Sequence, residues 1–135
     1  MSMKKFYVGV KGLIHDNERG YLLLRAAKGH WDIPGGRMDD NENFEATLRR
    51  ELSEELPGVE LQSLGEIQGS HRLPHDIEGD ISLVILYYLV SVKLPKEIVL
   101  SEEHESYIWV KQRADIPKED LNPRMREIMI NLITK

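Results

Sequence analysis

Phe6, Val8 and Val10 alternate with other side chains before Leu13-Ile14, the two-residue period of a strand. Asp16-Asn17-Glu18-Arg19-Gly20 is rich in turn formers, and Tyr21 to Leu24 resumes the strand pattern, which predicts a hairpin. Trp31-Asp32-Ile33-Pro34-Gly35-Gly36 reads as a loop by its proline and paired glycines. Asp39 to Asn43 stays polar, with Asn43 placed to cap a helix. Phe44 to about Leu56 holds no proline or glycine and mostly strong helix formers, so a helix is predicted there. Pro57-Gly58 ends it, because a residue before proline avoids the α region and glycine adopts the cap conformation at little cost.

Val59 to Ile67 reads as a strand, and Gly69 to Gly79, with its glycines, proline and polar groups, as a loop. Ile81 to Val92 is a near-continuous apolar run with β-branched and aromatic members, the pattern of a strand buried on both faces. Pro95 to Glu105 is mostly loop, and Tyr107 to Val110 is a short strand. Asn122-Pro123 opens a last helix, a cap residue followed by proline in the first turn. Met125, Ile128, Met129 and Leu132 then recur at helical spacing and form a core-facing stripe. Strands alternating with two helices, without repeat or linker, predict one mixed α/β domain.

The 135 residues suffice for one core, and 41% apolar with 30% charged side chains of both signs excludes a disordered chain. The longest apolar run, Ile81 to Val90, is half of the ~20 residues that a membrane-spanning helix needs, so no membrane partner is expected. Met1-Ser2-Met3-Lys4-Lys5 leads into an alternating segment rather than a signal peptide. With no cysteine, disulfides and thiolate metal sites are excluded, and the composition fits the cytoplasm. A net charge of −5 gives no electrostatic footprint for duplex nucleic acid. It leaves room for a small anionic ligand if a divalent cation lies between the two.

Candidate chemistry concentrates in the first helix. Glu51, Glu54 and Glu55 are i, i+3 and i+4 neighbours within one arc of roughly 100° on the helical wheel, with nothing basic inside that arc. Leu48, Leu52 and Leu56 occupy the adjoining arc, so the helix can bury one side and present carboxylates on the next. Like charges at this spacing repel by a few tenths of a kcal/mol per pair, and Arg50, four residues before Glu54, offsets part of that. Many acidic helix faces are merely solvated. The other reading is a hard divalent cation, because magnesium takes oxygen ligands from carboxylates and substrate phosphates.

Context decides between them. Gly36 is followed after five residues by Glu42, and after seven more by Arg50-Glu51-Leu52-Ser53-Glu54-Glu55. This segment resembles the signature of the Nudix hydrolase family, G-x5-E-x7-R-E-U-x-E-E-x-G-U with U aliphatic, in its MutT-like form, and every fixed position up to Glu55 matches. Pro34-Gly35-Gly36 and Trp31 upstream also resemble the family. One departure follows: Leu56-Pro57-Gly58-Val59 brings the expected glycine one residue late, beyond the carboxylates. The box spans about residues 36–59 of a single domain, 1–135, and the resemblance implies an α/β/α sandwich around a mixed β-sheet.

The resemblance further implies that Glu51, Glu54, Glu55 and the Gly35 carbonyl hold Mg2+ (or Mn2+), and that Gly36, Glu42 and Arg50 brace the loop and helix. The implied reaction is hydrolysis of a diphosphate bond in a nucleoside diphosphate linked to another moiety. A cation neutralises the phosphate oxygens and acidifies water, and a free carboxylate takes or orients the proton. The general base is left between Glu54, on the helix, and Glu103, in the segment Glu103-His104 with Tyr107 and Trp109 that resembles a loop carrying such a glutamate in some members.

Arg72 is a candidate for a phosphate or ribose, and Trp31, Tyr21 or Phe6 for stacking on a base, each against a purely structural role. His71 and His75 have a spacing seen in zinc sites, but Pro74 interrupts any helix and no cysteine assists. Substrates across the family include nucleoside triphosphates, dinucleoside polyphosphates, ADP-ribose and nucleotide sugars. Pro74 lies near a proline frequent in members acting on ADP-ribose. Dimers are common in the family, which leaves a homodimer open without the residues themselves deciding the oligomeric state. The rival reading is a non-catalytic module that binds a nucleotide to regulate a partner; such modules generally lose box glutamates, which are all present here.

Overall fold

A computed structural model describes residues 3–134; Met1 and Ser2, read above with the N-terminal segment, lie outside them. The chain forms β1 (Lys5–Asp16), β2 (Gly20–Ala26), β3 (Trp31–Asp32), β4 (Gly35–Arg37), α1 (Phe44–Glu55), β5 (Glu60–Arg72), β6 (Ile81–Lys93), β7 (His104–Val110) and α2 (Pro123–Ile133), with a 3-10 turn at Arg113–Asp115. The sheet is mixed. β1 runs parallel to β6 and antiparallel to β4, β5 pairs antiparallel with β6, and β2 joins β1 by a hairpin and carries β3 and β7 on its edges.

Alternation along the strands builds two cores on opposite faces. Val10 and Ile14 of β1, Leu22 and Leu24 of β2, and Tyr88, Val90 and Val92 of β6 meet Leu48, Leu52 and Leu56 from α1 and its cap. Leu13, Leu23, Ile85 and Tyr87 point the other way, toward Met125, Ile128 and Met129 of α2. Helices on both faces make the α/β/α sandwich. The run from Ile81 serves both cores, as its continuous hydrophobicity requires. Each fully buried leucine contributes about 1.5–3 kcal/mol of transfer free energy, so the helix faces are fixed by burial more than by propensity. Gly12 has a specific role: a Cβ there would lie 3.3 Å from both Leu48 and Val90, so glycine lets α1 settle against β1 and β6.

Both helices begin as the sequence predicts. Asn43 Oδ1 accepts from Ala46 N–H at 2.8 Å, and Asn122 Oδ1 accepts from Arg124 N–H at 2.8 Å with Pro123 in the first turn. The late glycine is absorbed by a tight turn. Leu56 N–H still donates to Leu52 O, Val59 N–H donates to Leu56 O, and Gly58 takes φ +92° while Leu56 and Val59 stay buried. Glu55 therefore keeps its helical position.

Two expectations need correction. The segment from Trp31 to Gly36 is not loop throughout, because Trp31–Asp32 adds to β2 and Gly35–Arg37 adds to β1. Gly35, at φ +143°, lies so close to Val10 O that a Cβ could not be accommodated. The second concerns Gly69 to Arg72, which continue β5 against Tyr87, Leu86, Ile85 and Val84. Gly69 is there for close packing rather than turning, since a Cβ would meet Ile128 of α2 at 3.0 Å. Among the described residues no helix is long and apolar enough to cross a membrane.

Candidate active site

The antiparallel edge β4 sits between β1 and α1 and organises the site. Gly35 N–H donates to Glu55 Oε1 at 2.8 Å, and the Glu51 carboxylate occupies the space that a Cβ on Gly36 would need. The two glycines thus let the strand pass under the carboxylate helix. Glu51, Glu54 and Glu55, with Gly35, Gly36, Arg37, Ser101, Glu102 and Glu103, line one cleft of about 630 Å³. Glu103, on a distant part of the chain, is brought there because Ala27 N–H donates to Glu103 O at 3.1 Å and Ser101 N–H donates to Glu55 O at 3.0 Å.

The carboxylates in this cleft have different surroundings. Glu54 is exposed, with Arg50 Nη1 3.8 Å away. Glu51 accepts from Arg50 Nη1 at 2.8 Å. Glu55 is buried, and loss of solvation pushes its carboxyl up to about 8, against the lowering influence of Lys11 and the Gly35 N–H. His104, whose Nε2 lies 3.5 Å from Glu55 Oε2, is pulled below the ordinary imidazole range by its own burial. Among the described residues, no three acidic or histidine groups already converge as a metal cluster. The contacts above give the reason: Glu51 is held by Arg50, and Glu55 is folded against Gly35.

Glu42 and Arg50 form the brace. Arg50 Nε donates to Glu42 Oε2 at 2.8 Å and Nη2 to Arg37 O at 2.9 Å, while Glu42 Oε1 accepts from Asp39 N–H and the Thr47 hydroxyl. Hydrogen bonds from Arg50 and the Asp39 N–H hold the Glu42 carboxyl down to about 2. The loop before α1 is thereby tied to the middle of the helix.

A second cavity, about 540 Å³, opens on the α2 face and shares Gly36 and Arg37 with the carboxylate cleft. Trp31, Leu73, Leu83, Ile85, Leu121 and Met125 make it apolar, and Lys11, Asp32, His71 and Asn122 supply polar edges. Lys11 Nζ bonds Asp32 Oδ2 at 3.0 Å, and the Tyr87 hydroxyl and His71 Nε2 lie 2.9 Å apart.

The NUDIX domain family model matches residues 5–132. The chain belongs to the NUDIX family. Its fold matches that of the MutT protein of Methanosarcina mazei Go1, at a TM-score of 0.80 and 24% identity over 100% of this chain and 99% of that one. In sequence it is 38% identical over 93 residues to the mouse asymmetrical bis(5'-nucleosyl)-tetraphosphatase, covering 67% of this chain and 63% of that protein. It is 32% identical over 126 residues to the nucleoside triphosphatase NudI of Escherichia coli K12, covering 84% and 87%. The chain thus spans under two thirds of the tetraphosphatase's length and most of NudI's.

The structure brings Glu51, Glu54, Glu55, Glu103, Gly35 and Gly36 to one Nudix cleft and Trp31 to the adjoining cavity. Arg72 goes elsewhere. Its neighbour His71 faces the apolar cavity, so the strand period turns Arg72 to the opposite face, where it donates to Ser82 Oγ at 3.0 Å and lies over Phe6. Phe6 is thereby an arginine platform, and Tyr21 packs beside His15. His71 pairs with Tyr87 instead of with His75, which leaves the zinc spacing without support. Lys11, Asp32, Arg37 and Asn122 were missed. Lys11 carried no signal, since it falls on the period opposite Phe6, Val8 and Val10, where a polar side chain is ordinary.

The cleft fits a hard divalent cation. Its donors are carboxylate oxygens from two separate stretches of chain, α1 and the turn 101–104, and the carboxylate folded over Gly36 lies where glycine alone leaves room. A cation there would also relieve the buried Glu55 charge.

Proposed function

We propose that this protein hydrolyses a phosphoric anhydride bond in a nucleoside diphosphate linked to another moiety, with Mg2+ or Mn2+ held by Glu51, Glu54, Glu55 and the Gly35 carbonyl. The observation that carries this reading is the junction of two cavities: a carboxylate cleft opens beside an apolar pocket, and the two share Gly36 and Arg37. A nucleoside fits the apolar side against Trp31, with Lys11, Asp32 and Asn122 at its polar edges. The phosphates then lie over the acidic side.

The divalent cation supplies neutralisation of the phosphate oxygens and a more acidic water. The chain's own groups do the rest. Arg37, common to both cavities, faces the bound anion. Glu54 or Glu103, both exposed on the cleft wall, accepts the proton of the attacking water. Glu42 and Arg50 keep the Gly36 loop and α1 in register, so that the acceptor and the phosphorus keep a fixed separation. The named activities of the relatives, on dinucleoside tetraphosphates and on nucleoside triphosphates, give the two substrate classes to try first. The composition supports a cytoplasmic enzyme, and a homodimer is its proposed assembly.

A nucleotide panel tests the reading. Nucleoside triphosphates, dinucleoside tetraphosphates, ADP-ribose and nucleotide sugars are incubated with the protein and Mg2+, and products are scored by mass. Cleavage at an anhydride bond that stops on chelation is expected. Binding without turnover of any member would identify a nucleotide sensor instead.

A further inference from the structure

Among the described residues, three buried side-chain polar atoms lack a hydrogen-bond partner: Asp32 Oδ1, Ser101 Oγ and His104 Nδ1. They are not scattered. Ser101 lines the carboxylate cleft, and Asp32 and His104 line an adjoining cleft that shares Gly35, Glu55 and Glu103 with it. An unsatisfied buried polar group costs about 1–3 kcal/mol, so a fold that served only stability would not gather three around one carboxylate.

His104 is the member that touches that carboxylate. Its side chain is 7% exposed, and Nε2 lies 3.5 Å from Glu55 Oε2, whose side chain is 8% exposed. Glu55 Oε1 is taken by the Gly35 N–H, which leaves Oε2 directed at the imidazole. The main chain makes the same connection. His104 N–H donates to Ser101 O at 3.2 Å, and Ser101 N–H donates to Glu55 O at 3.0 Å. The turn 101–104 is therefore fastened to the last residue of α1 through backbone and side chain together, and this turn carries Glu102 and Glu103 on the cleft wall.

We propose that His104 is a positioning residue, whose Nε2–H sets the direction of the buried Glu55 carboxylate while its turn holds Glu103 against the same cleft. The inference rests on the reading of the cleft as a divalent-cation site. A neutral imidazole suits this role, because a proton on Nε2 faces the carboxylate while Nδ1 carries none. A histidine that merely fills a gap would be replaceable by any side chain of similar volume. A positioning one needs a donor at the Nε2 place.

The test compares His104→Ala and His104→Gln with the unaltered protein, because glutamine retains an N–H at similar reach. Mn2+ binding to the protein without nucleotide is followed by electron paramagnetic resonance, alongside thermal melting. His104→Ala is expected to weaken Mn2+ binding roughly 10–100-fold, the usual effect of removing a group that orients a ligating side chain. His104→Gln should recover most of that loss, whatever its melting temperature. Unchanged Mn2+ binding by His104→Ala, or a Gln variant that binds as weakly as a folded Ala variant, overturns the proposal. Where the Ala variant does not fold, the Gln variant decides, and a loss of Mn2+ binding beyond tenfold in it counts against the proposal. No Mn2+ binding by the unaltered protein overturns the cation site and this inference with it; binding that ignores His104 overturns this inference alone.

Discussion

Glu42 and Glu55 come from one sequence motif and meet opposite surroundings. Glu42 takes two bonds from Arg50, one from a backbone N–H and one from Thr47, and its carboxyl is held down to about 2. Glu55 is buried with one backbone N–H and a neutral imidazole, and its carboxyl is pushed up to about 8. The first is satisfied and stays charged; it braces. The second resists ionisation in the metal-free fold, which leaves it with a reason to take a cation in place of its proton. Strain of this kind is kept where it serves a site and is offset by the two cores that flank it.

Replacing the strained member gives the largest effect. Glu55→Gln should lower turnover roughly a thousandfold, the worth of several kcal/mol of charge stabilisation at the phosphates. The same variant should be the more stable protein without metal. The folded state holds the Glu55 proton more tightly than the unfolded chain, so wild-type stability falls as pH rises from the ordinary carboxylate value toward 8. In chelator, urea denaturation should find Glu55→Gln more stable by on the order of 3 kcal/mol at pH 7, with the gap closing below pH 4.5. A variant that loses stability at pH 7 removes the contrast with Glu42.

An intermediate effect separates the two exposed candidates for the base. Glu54→Gln and Glu103→Gln leave the core untouched, so their melting temperatures should match wild type. The one that serves as base should lose about 100-fold or more in kcat at saturating metal and nucleotide. Wild-type rates in both variants would remove the base from this pair. The smallest effect on chemistry belongs to the brace. Glu42→Gln should lower the melting temperature by a few degrees while kcat stays within about threefold. Because the Glu42 carboxyl is held low, its contribution is present at neutral pH and is lost as pH falls toward 2, so the two melting curves should converge in acid. A Glu42→Gln variant as inactive as Glu55→Gln would show the two carboxylates sharing one function.

Both helices were legible down to their caps, because Asn43, Pro57-Gly58 and Asn122-Pro123 are local signals that need no partner strand. The region around Gly69 misled for the same reason. Glycine reads locally as a breaker, and only the approach of Ile128 from α2 shows that it is a packing residue inside a strand. Arg72 lies outside the linings of both cavities, a placement the sequence did not show because its face depended on how far β5 extends, which is set by pairing with β6.

By itself, the sequence determined the carboxylate helix, because covalent spacing and a 3.6-residue turn bring Glu51, Glu54 and Glu55 to one side of any helix that forms there. It also determined the two-faced core, through the alternation of β1 and the continuous apolar run of β6. Which distant residues join those carboxylates was decided only in three dimensions. Glu103 and His104 reach Glu55 through hydrogen bonds between backbones far apart in the chain, and Lys11, Asp32 and Asn122 meet around one cavity because three elements pack there. Such neighbours leave no periodic trace in a sequence, since long-range contact follows from burial and pairing rather than from spacing.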